Sequence, residues 1–400
     1  MNAQAERFTE NYVDAYSAAG FPRIEPGSLY LQDGSAIFTS CTVSNYREAL
    51  AGLALEPGSV MVQRCFRTRT LDELHESYRP ERRALFDMYG GFESADRDDI
   101  GRKIDFHGRT MRAVLESSGV KPRQMVFAGS PEDIEAWNLR ESDSNIDYRA
   151  YPEDGLSGDV PARVGKKVKQ YGQGITGHGL EVFVKQGGSW ALAGNIVETI
   201  AKDGSTTGID FGGGLEATVQ AIHGPEASYL DAELCSRFGM DDTALQNPRL
   251  LNLMESLESL MIILAHETDR HPLSSTNSAI DLACRSINVQ CAELKLPSES
   301  LINLASSYAS GDVLDASVFN QAMELINKRR EAIGRLVLAA EGGKLSKRLH
   351  MRAAQSQRQG HAFTTKKRAR IIFDYIHELP PDERTIIPSS LLPEELASVN

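Results

Sequence analysis

The sequence predicts an α+β fold, in which a mixed part with antiparallel, hairpin-linked strands is followed by an all-α part. Three observations predict it. Up to about residue 240, short apolar runs alternate with glycine-rich turns. Beyond that point glycine becomes rare and the apolar residues take a helical period. The length, 400 residues, is too great for one ordinary domain. The expected boundary divides 1–240 from 241–400.

The elements follow in order. Phe8, Tyr12 and Ala15/Tyr16 mark one face of a helix over 3–19, with Gly20 placed to cap it. Strand-like runs follow at 35–39, after Asp33-Gly34, and at 59–63, after Pro57-Gly58. Residues 68–83 are polar and read as a long loop; 84–91 are apolar again; 103–119 look helical. Residues 140–166, rich in Asp, Ser, Gly and Pro, read as loop. Residues 180–184 alternate as a strand, an apolar segment runs to Ile200, and 206–211 is a short strand after the Asp203-Gly204 turn. Three glycines then lead into a helix from Leu215 to Ile222. In the second part Asn247-Pro248 is a helix start, with Leu250, Met254, Leu257, Met261 and Leu264 on one face. Further helices are expected over 276–293, 298–309 and 316–340.

Composition narrows the function. With 41% hydrophobic and 24% charged residues, the chain reads as a soluble globular protein. No apolar run approaches the ~20 residues of a membrane span, and Met1 to Arg7 lacks the basic start and apolar core of a secretory signal. The five cysteines are scattered and form no C-x-x-C pair, which argues against a zinc site or disulfide framework and for a reducing, cytoplasmic setting. A net charge of −12 confines any nucleic-acid contact to a local patch and favours a small-molecule substrate.

One motif misleads. Gly172 to Gly177 spells G-x-G-x-x-G, but a dinucleotide site needs a strand before it and a helix after it. Here a strand-like segment follows, so a loop over a pocket is the better reading.

Three segments carry candidate chemistry. Gln63-Arg64-Cys65-Phe66-Arg67 ends a strand, and period two puts Arg67 on the face of Cys65, opposite Arg64. Arginine on a sheet offers a fixed charged fork for a carboxylate or phosphate; the ordinary alternative is a surface arginine. In Phe86-Asp87-Met88-Tyr89-Gly90-Gly91-Phe92, Phe92 is placed to stack on a purine or to fill the core. Asp210 ends a strand, and Gly212 and Gly214 let backbone approach a ligand at a helix start, which favours an anion. Asp210 itself suits an ammonium group, or serves as a cap.

The order of these segments resembles the alanyl-tRNA synthetase family, within the class II synthetases. The matching stretches are Ser28-Leu29 through Phe38-Thr39, Gln63 to Arg67, Phe86 to Phe92, Gly174-Ile175-Thr176-Gly177-His178-Gly179-Leu180-Glu181, Asn195-Ile196-Val197, and Asp210-Phe211-Gly212-Gly213-Gly214-Leu215-Glu216. The resemblance implies a class II antiparallel sheet flanked by helices, with ATP and Mg2+ as cofactors. It implies that Arg67 holds the α-phosphate and the amino-acid carboxylate, that Asp87 and Phe92 lie on the ATP side with Phe92 near the adenine, and that Gly212 and Gly214 floor the nucleotide. Asp210 would bind the α-ammonium, and Asn195 and Glu181 would line the amino-acid and metal side. The reaction, carboxylate attack on the α-phosphate, needs no protein nucleophile; positioning and charge neutralisation carry it.

The chain also departs from the family. Ala217 stands where the last motif carries an arginine; Arg69 and Arg97 are candidates to replace it, which the sequence does not decide. Val168 or Lys169 stands where a tryptophan covers the alanine methyl, and a lysine there suits an acidic ligand or simply points to solvent. Across 245–295 four basic residues face six acidic ones, a poor tRNA-gripping surface. From Gly343 to Arg370 there are nine basic residues and no acid, Lys366, Lys367, Arg368 and Arg370 among them: a nucleic-acid patch or a solvated face. The leading expectation is an aminoacyl-adenylate-forming ligase for alanine or another small amino acid that passes the acyl group to a small-molecule acceptor. A shortened synthetase that charges tRNA and a catalytically silent binding module are the alternatives. A homodimer is expected by analogy, and no membrane partner.

Overall fold

The computed structural model describes residues 3–29, 38–39, 41–67, 70, 83–141, 145–151, 169–172, 174–224, 234–267, 274–311 and 316–341. The chain divides into two compact units, Met1–Arg67 with Pro80–Leu230, and Thr68–Arg79 with Asp231–Asn400.

The first unit is built on one sheet. Its strands are β1 (Ser59–Phe66), β2 (Leu85–Ser94), β3 (Met125–Gly129), β4 (Tyr148–Ala150), β5 (Lys169–Gly172), β6 (Ile175–Gln186), β7 (Ser189–Ile200) and β8 (Thr206–Gly214). Their spatial order is β1-β2-β8-β7-β6-β3-β4, with β5 paired to β6 off this path. Every pairing is antiparallel except β3 with β4. Helices α1 (Ala3–Ala18), α2 (Arg47–Leu50), α3 (Ile100–Ser117), α4 (Pro131–Ala136) and α5 (Leu215–His223) accompany it. The α+β class, with an antiparallel sheet flanked by helices, is thus the one the sequence predicts.

The two sheet faces are distinct. One is covered by α1, α3 and α5, whose apolar faces close on Phe127, Leu180, Val182, Ile196, Ile209 and Phe211. Aromatic rings dominate this core: Tyr16 stacks on Phe211 at 4.9 Å and Phe8 meets Tyr89 edge-on, also at 4.9 Å. The sequence-predicted stripe Phe8, Tyr12, Tyr16 is the buried face of α1. The other sheet face carries smaller clusters, one of them Met61 and Phe92 under Val43, Tyr46 and Leu50.

Three local features differ from the sequence expectation. β8 continues through its glycines to Gly214 instead of ending at Phe211, because Gly212, Gly213 and Gly214 each keep a ladder partner on β2. β4 lies within the stretch expected as loop and runs parallel to β3. Gly172 to Gly177 spans the β5–β6 connection, where Gly174 takes φ +83°; this is a hairpin turn, in accord with the rejection of a dinucleotide site. The expected strand over 35–39 falls largely outside the described residues.

The second unit contains α6 (Pro248–Glu267), α7 (Ser274–Glu293), α8 (Ser298–Gly311) and α9 (Ala316–Glu341). Asn247 caps α6, its Oδ1 accepting the N–H groups of Arg249 and Leu250 at 3.2 Å. The single apolar face expected for α6 is a correction: residues 251–261 are buried almost all round, Glu255 and Glu258 included. A buried carboxylate needs a partner, and Arg237 Nη1 reaches Glu258 Oε1 at 2.7 Å.

Candidate anion-binding site at the β1, β2 and β8 ends

Arg67 follows β1 directly. Its N–H donates to Ala84 O at 2.8 Å, which extends the β1–β2 ladder one residue past the strand. The alternation then holds: Arg64 turns to one face and meets Asp87 at 3.1 Å, while Arg67 lies on the other with its guanidinium 4.3 Å above the Phe86 ring. Phe86 steadies an exposed cation without neutralising it.

Beside Arg67 opens a cavity of about 600 Å³, within the range of small-molecule sites. Asn195 from β7, Gly214 from the end of β8, and Glu216 and Ala217 from the first turn of α5 line it, together with Phe86 and Arg83. Segments far apart in sequence thus meet around one space because β2, β8 and β7 are sheet neighbours. Three of the sequence-predicted residues, Arg67, Asn195 and Gly214, share this cavity.

The two flanking glycines do different things. At Gly212, with φ +146°, a Cβ would lie 2.2 Å from Tyr89 O, so β2 leaves no room for any side chain. At Gly214 a Cβ would meet only the Ala217 Cβ at 3.7 Å. Packing therefore requires Gly212, whereas the missing side chain at Gly214 only enlarges the cavity. Gly212 does not line the cavity, so a floor under a ligand is built from Gly213 and Gly214.

The remaining predicted residues are placed as follows. Asp210 shares the sheet face of Gly212 and Gly214 by alternation but lies outside the cavity lining. Its Oδ2 accepts the Tyr171 hydroxyl at 2.7 Å. Burial raises its carboxyl above the ordinary value, and the Lys169 ammonium and the Tyr171 hydroxyl oppose that rise. Lys169, on β5, thus acts electrostatically on Asp210. Glu181 pairs with Asn195 in register and accepts the Tyr151 hydroxyl at 2.7 Å.

Two positions depart from the resemblance. Phe92 is fully buried, its ring 5.7 Å from that of Tyr46; it has no face open to a purine and belongs to the core. Asp87 points away from Arg67 to its ion pair with Arg64, and its N–H donates to Glu216 Oε1 at 2.7 Å, so it lies outside the cavity lining. Lys366, Lys367, Arg368, Arg370 and Arg69 lie outside the described residues. Arg97 does not line the cavity; Arg83 does. Sequence reasoning missed Arg83 because it sits in a charged stretch read as loop.

It also missed Glu216. This side chain is 7% exposed. Oε1 is bonded to the Asp87 N–H, and Oε2 is buried with no hydrogen-bond partner among the described residues. Burial, with a smaller contribution from the Asp87 charge, pushes its carboxyl up to about 8; the Asp87 N–H and the Arg64 charge act the other way. The sequence named it only as the last residue of the stretch Asp210 to Glu216, at a helix start beside glycines, without a role.

The arrangement can take an anionic ligand: a guanidinium projects at the rim, small residues keep the floor clear, and amide and carboxamide groups border the space. Among the described residues no three or more His, Cys, Asp or Glu side chains gather as a metal site, and no helix is long and apolar enough to cross a membrane.

No family model matches the chain, and no curated protein matches it. One solved structure it is similar to is an apo histidyl-tRNA synthetase from S. aureus, at 12% identity and a TM-score of 0.35, over 59% of this chain and 76% of that one. A likeness this slight carries no argument about fold or activity.

Proposed function

We propose that the first unit is a class II synthetase-like domain of the alanyl-tRNA synthetase type that activates a small amino acid with ATP and transfers the acyl group to a small-molecule acceptor. The observation that carries this reading is the convergence of Arg67, Asn195 and Gly214 on one cavity, since these residues come from three of the segments whose order resembles that family. In this reading Arg67 holds the oxyanions of both reactants, which brings the attacking carboxylate and the phosphorus together and neutralises charge as it builds. Asp210 takes the amino-acid ammonium in place of the Tyr171 hydroxyl, which then becomes a second polar contact. Asn195 orients the amino acid. Mg2+ arriving with the triphosphate shares its charge and is held mostly by phosphoryl oxygens and water.

A second reading has its own support. Ala217 borders the cavity where an arginine would bring charge, and Asp210 already has a hydrogen-bond donor. A silent module that binds an amino acid or adenylate without turnover accounts for both.

Amino-acid-dependent exchange of labelled pyrophosphate into ATP separates the two. All twenty amino acids are screened with Mg2+ and without tRNA. Exchange with one small amino acid, lost in Arg67→Ala and Asp210→Ala, supports the ligase. Folded protein that shows no exchange with any of them sinks it in favour of the silent module.

A further inference from the structure

The cavity beside Arg67 has a part that the proposed chemistry does not use. Asp210, the proposed amino-acid end, lies outside the lining, so in the ligase reading the space is left to the nucleotide. Arg67 accounts for its phosphates. The base and sugar remain, and both are uncharged. The cavity continues from Gly214 along α5 and the β6–β7 hairpin, where the polar side chains are neutral: Gln220 on α5, Gln186 at the end of β6 and Ser189 at the start of β7. The walls here are small. Ala193, Gly194, Gly213 and Ala217 put little side chain into the space, which leaves room for a flat ring.

We propose that Gln186 and Gln220 read the base of a purine nucleoside triphosphate and select an exocyclic amino group, as in adenine, over an oxo group. This deepens the ATP-binding reading above and rests on it. Both side chains are partly exposed where they border the cavity. Gln186 Nε2 donates to Ile222 O at 2.9 Å. A carboxamide carries one acceptor oxygen and one donor nitrogen, so this bond fixes which is which: Nε2 is committed, and Oε1 is left as an acceptor. An acceptor of fixed sign favours an amino group, which donates, over an oxo group, which does not. The same bond ties the end of β6 to the last turn of α5, the helix that carries Gln220, so both carboxamides are held on one frame. Gln220 lies three residues beyond Ala217, on the same face of α5, and the small Ala217 side chain leaves it open to the space. Its carboxamide makes no hydrogen bond to any described residue. Glutamine presents a donor and an acceptor side by side, which matches the edge of adenine where a ring nitrogen adjoins the amino group.

Calorimetry on the whole chain with Mg2+ compares three probes: ATP; ITP, which has an oxo group in place of the amino group; and inorganic tripolyphosphate, which has no base. Wild type should bind ATP roughly tenfold tighter than ITP. Gln220→Met should weaken ATP by about tenfold and leave tripolyphosphate unchanged. Gln186→Met should bring ATP and ITP to the same affinity. A wild type that binds ATP and ITP equally overturns the proposal, as does the wild-type ATP-to-ITP ratio persisting in both variants. Loss of tripolyphosphate together with ATP in Gln220→Met also overturns it, because the side chain then acts on something other than the base. Gln186→Met gives up the bond to Ile222, so if it does not fold, wild type and Gln220→Met decide alone. Arg67→Ala separates the two layers. If it binds tripolyphosphate as tightly as wild type, or if wild type binds neither ATP nor tripolyphosphate, the cavity is not the phosphate site and the underlying reading fails. If Arg67→Ala loses both while wild type does not distinguish ATP from ITP, only the reading of the base fails.

Discussion

Asp210 lies within β8 and Glu216 just beyond its end, and both are carboxyls withdrawn from water with raised proton affinity. Their surroundings are opposite. Asp210 is met by the Tyr171 hydroxyl and the Lys169 charge, both brought by the β5 hairpin. Glu216 has one oxygen held by backbone and the other buried with no hydrogen-bond partner among the described residues. The same burial thus yields two states. Where a cation and a donor are supplied, a carboxyl is held toward its ionised form; where they are not, it stays neutral. In the proposed reading Asp210 serves the amino-acid end of the site and Arg67 the anion end.

The largest expected effect comes from the anion end. Arg67→Ala should lower pyrophosphate exchange by roughly 10²–10³-fold, as for the loss of one preorganised donor. Melting should hardly change, because the side chain is exposed. A change of less than a few-fold would remove Arg67 from the chemistry and leave the two ends without their contrast.

Gly212→Ala drives a Cβ against Tyr89 O and should cost about 3 kcal/mol in denaturant unfolding. Gly214→Ala meets only Ala217, so it should leave stability within about 1 kcal/mol and weaken ATP binding. Equal stability losses would break the distinction between a packing glycine and a cavity glycine.

A smaller effect is read as pH dependence of stability. Folded Glu216 keeps its proton to about 8, whereas the unfolded chain loses it near 4.5. Its stabilising contribution is therefore complete below about 4.5 and is lost as pH rises through about 8. Thermal melts of wild type across that window should decline relative to Glu216→Gln; parallel curves would show that Glu216 is ionised when folded. The smallest effect is Tyr171→Phe. Removing the donor should raise the Asp210 carboxyl further and cost about 1–2 kcal/mol, with KM for the amino acid shifting more than kcat. An unchanged KM would separate Asp210 from the amino-acid end.

Much of this was legible in the chain itself. The periodicity of Phe8, Tyr12 and Tyr16 marked a helix because burial on one side demands it, and Asn247-Pro248 marked another because an exposed helix start needs a cap. Strand alternation was enough to set Arg67 and Arg64 on opposite faces, since the pleat allows nothing else. The order of the motifs also marked Arg67, Asn195 and Gly214 as residues of one site. Tertiary structure decided the rest. Only the β2–β8 approach shows that Gly212 is required for packing, and only the cluster around Tyr46 shows that Phe92 is core. Arg83 was silent in the sequence, and Glu216 was marked there only as the end of a matched stretch, because their meaning lies in neighbours far along the chain: local pattern records which side of an element is apolar, whereas a carboxyl's charge depends on what the fold brings, or fails to bring, within a few ångströms of it.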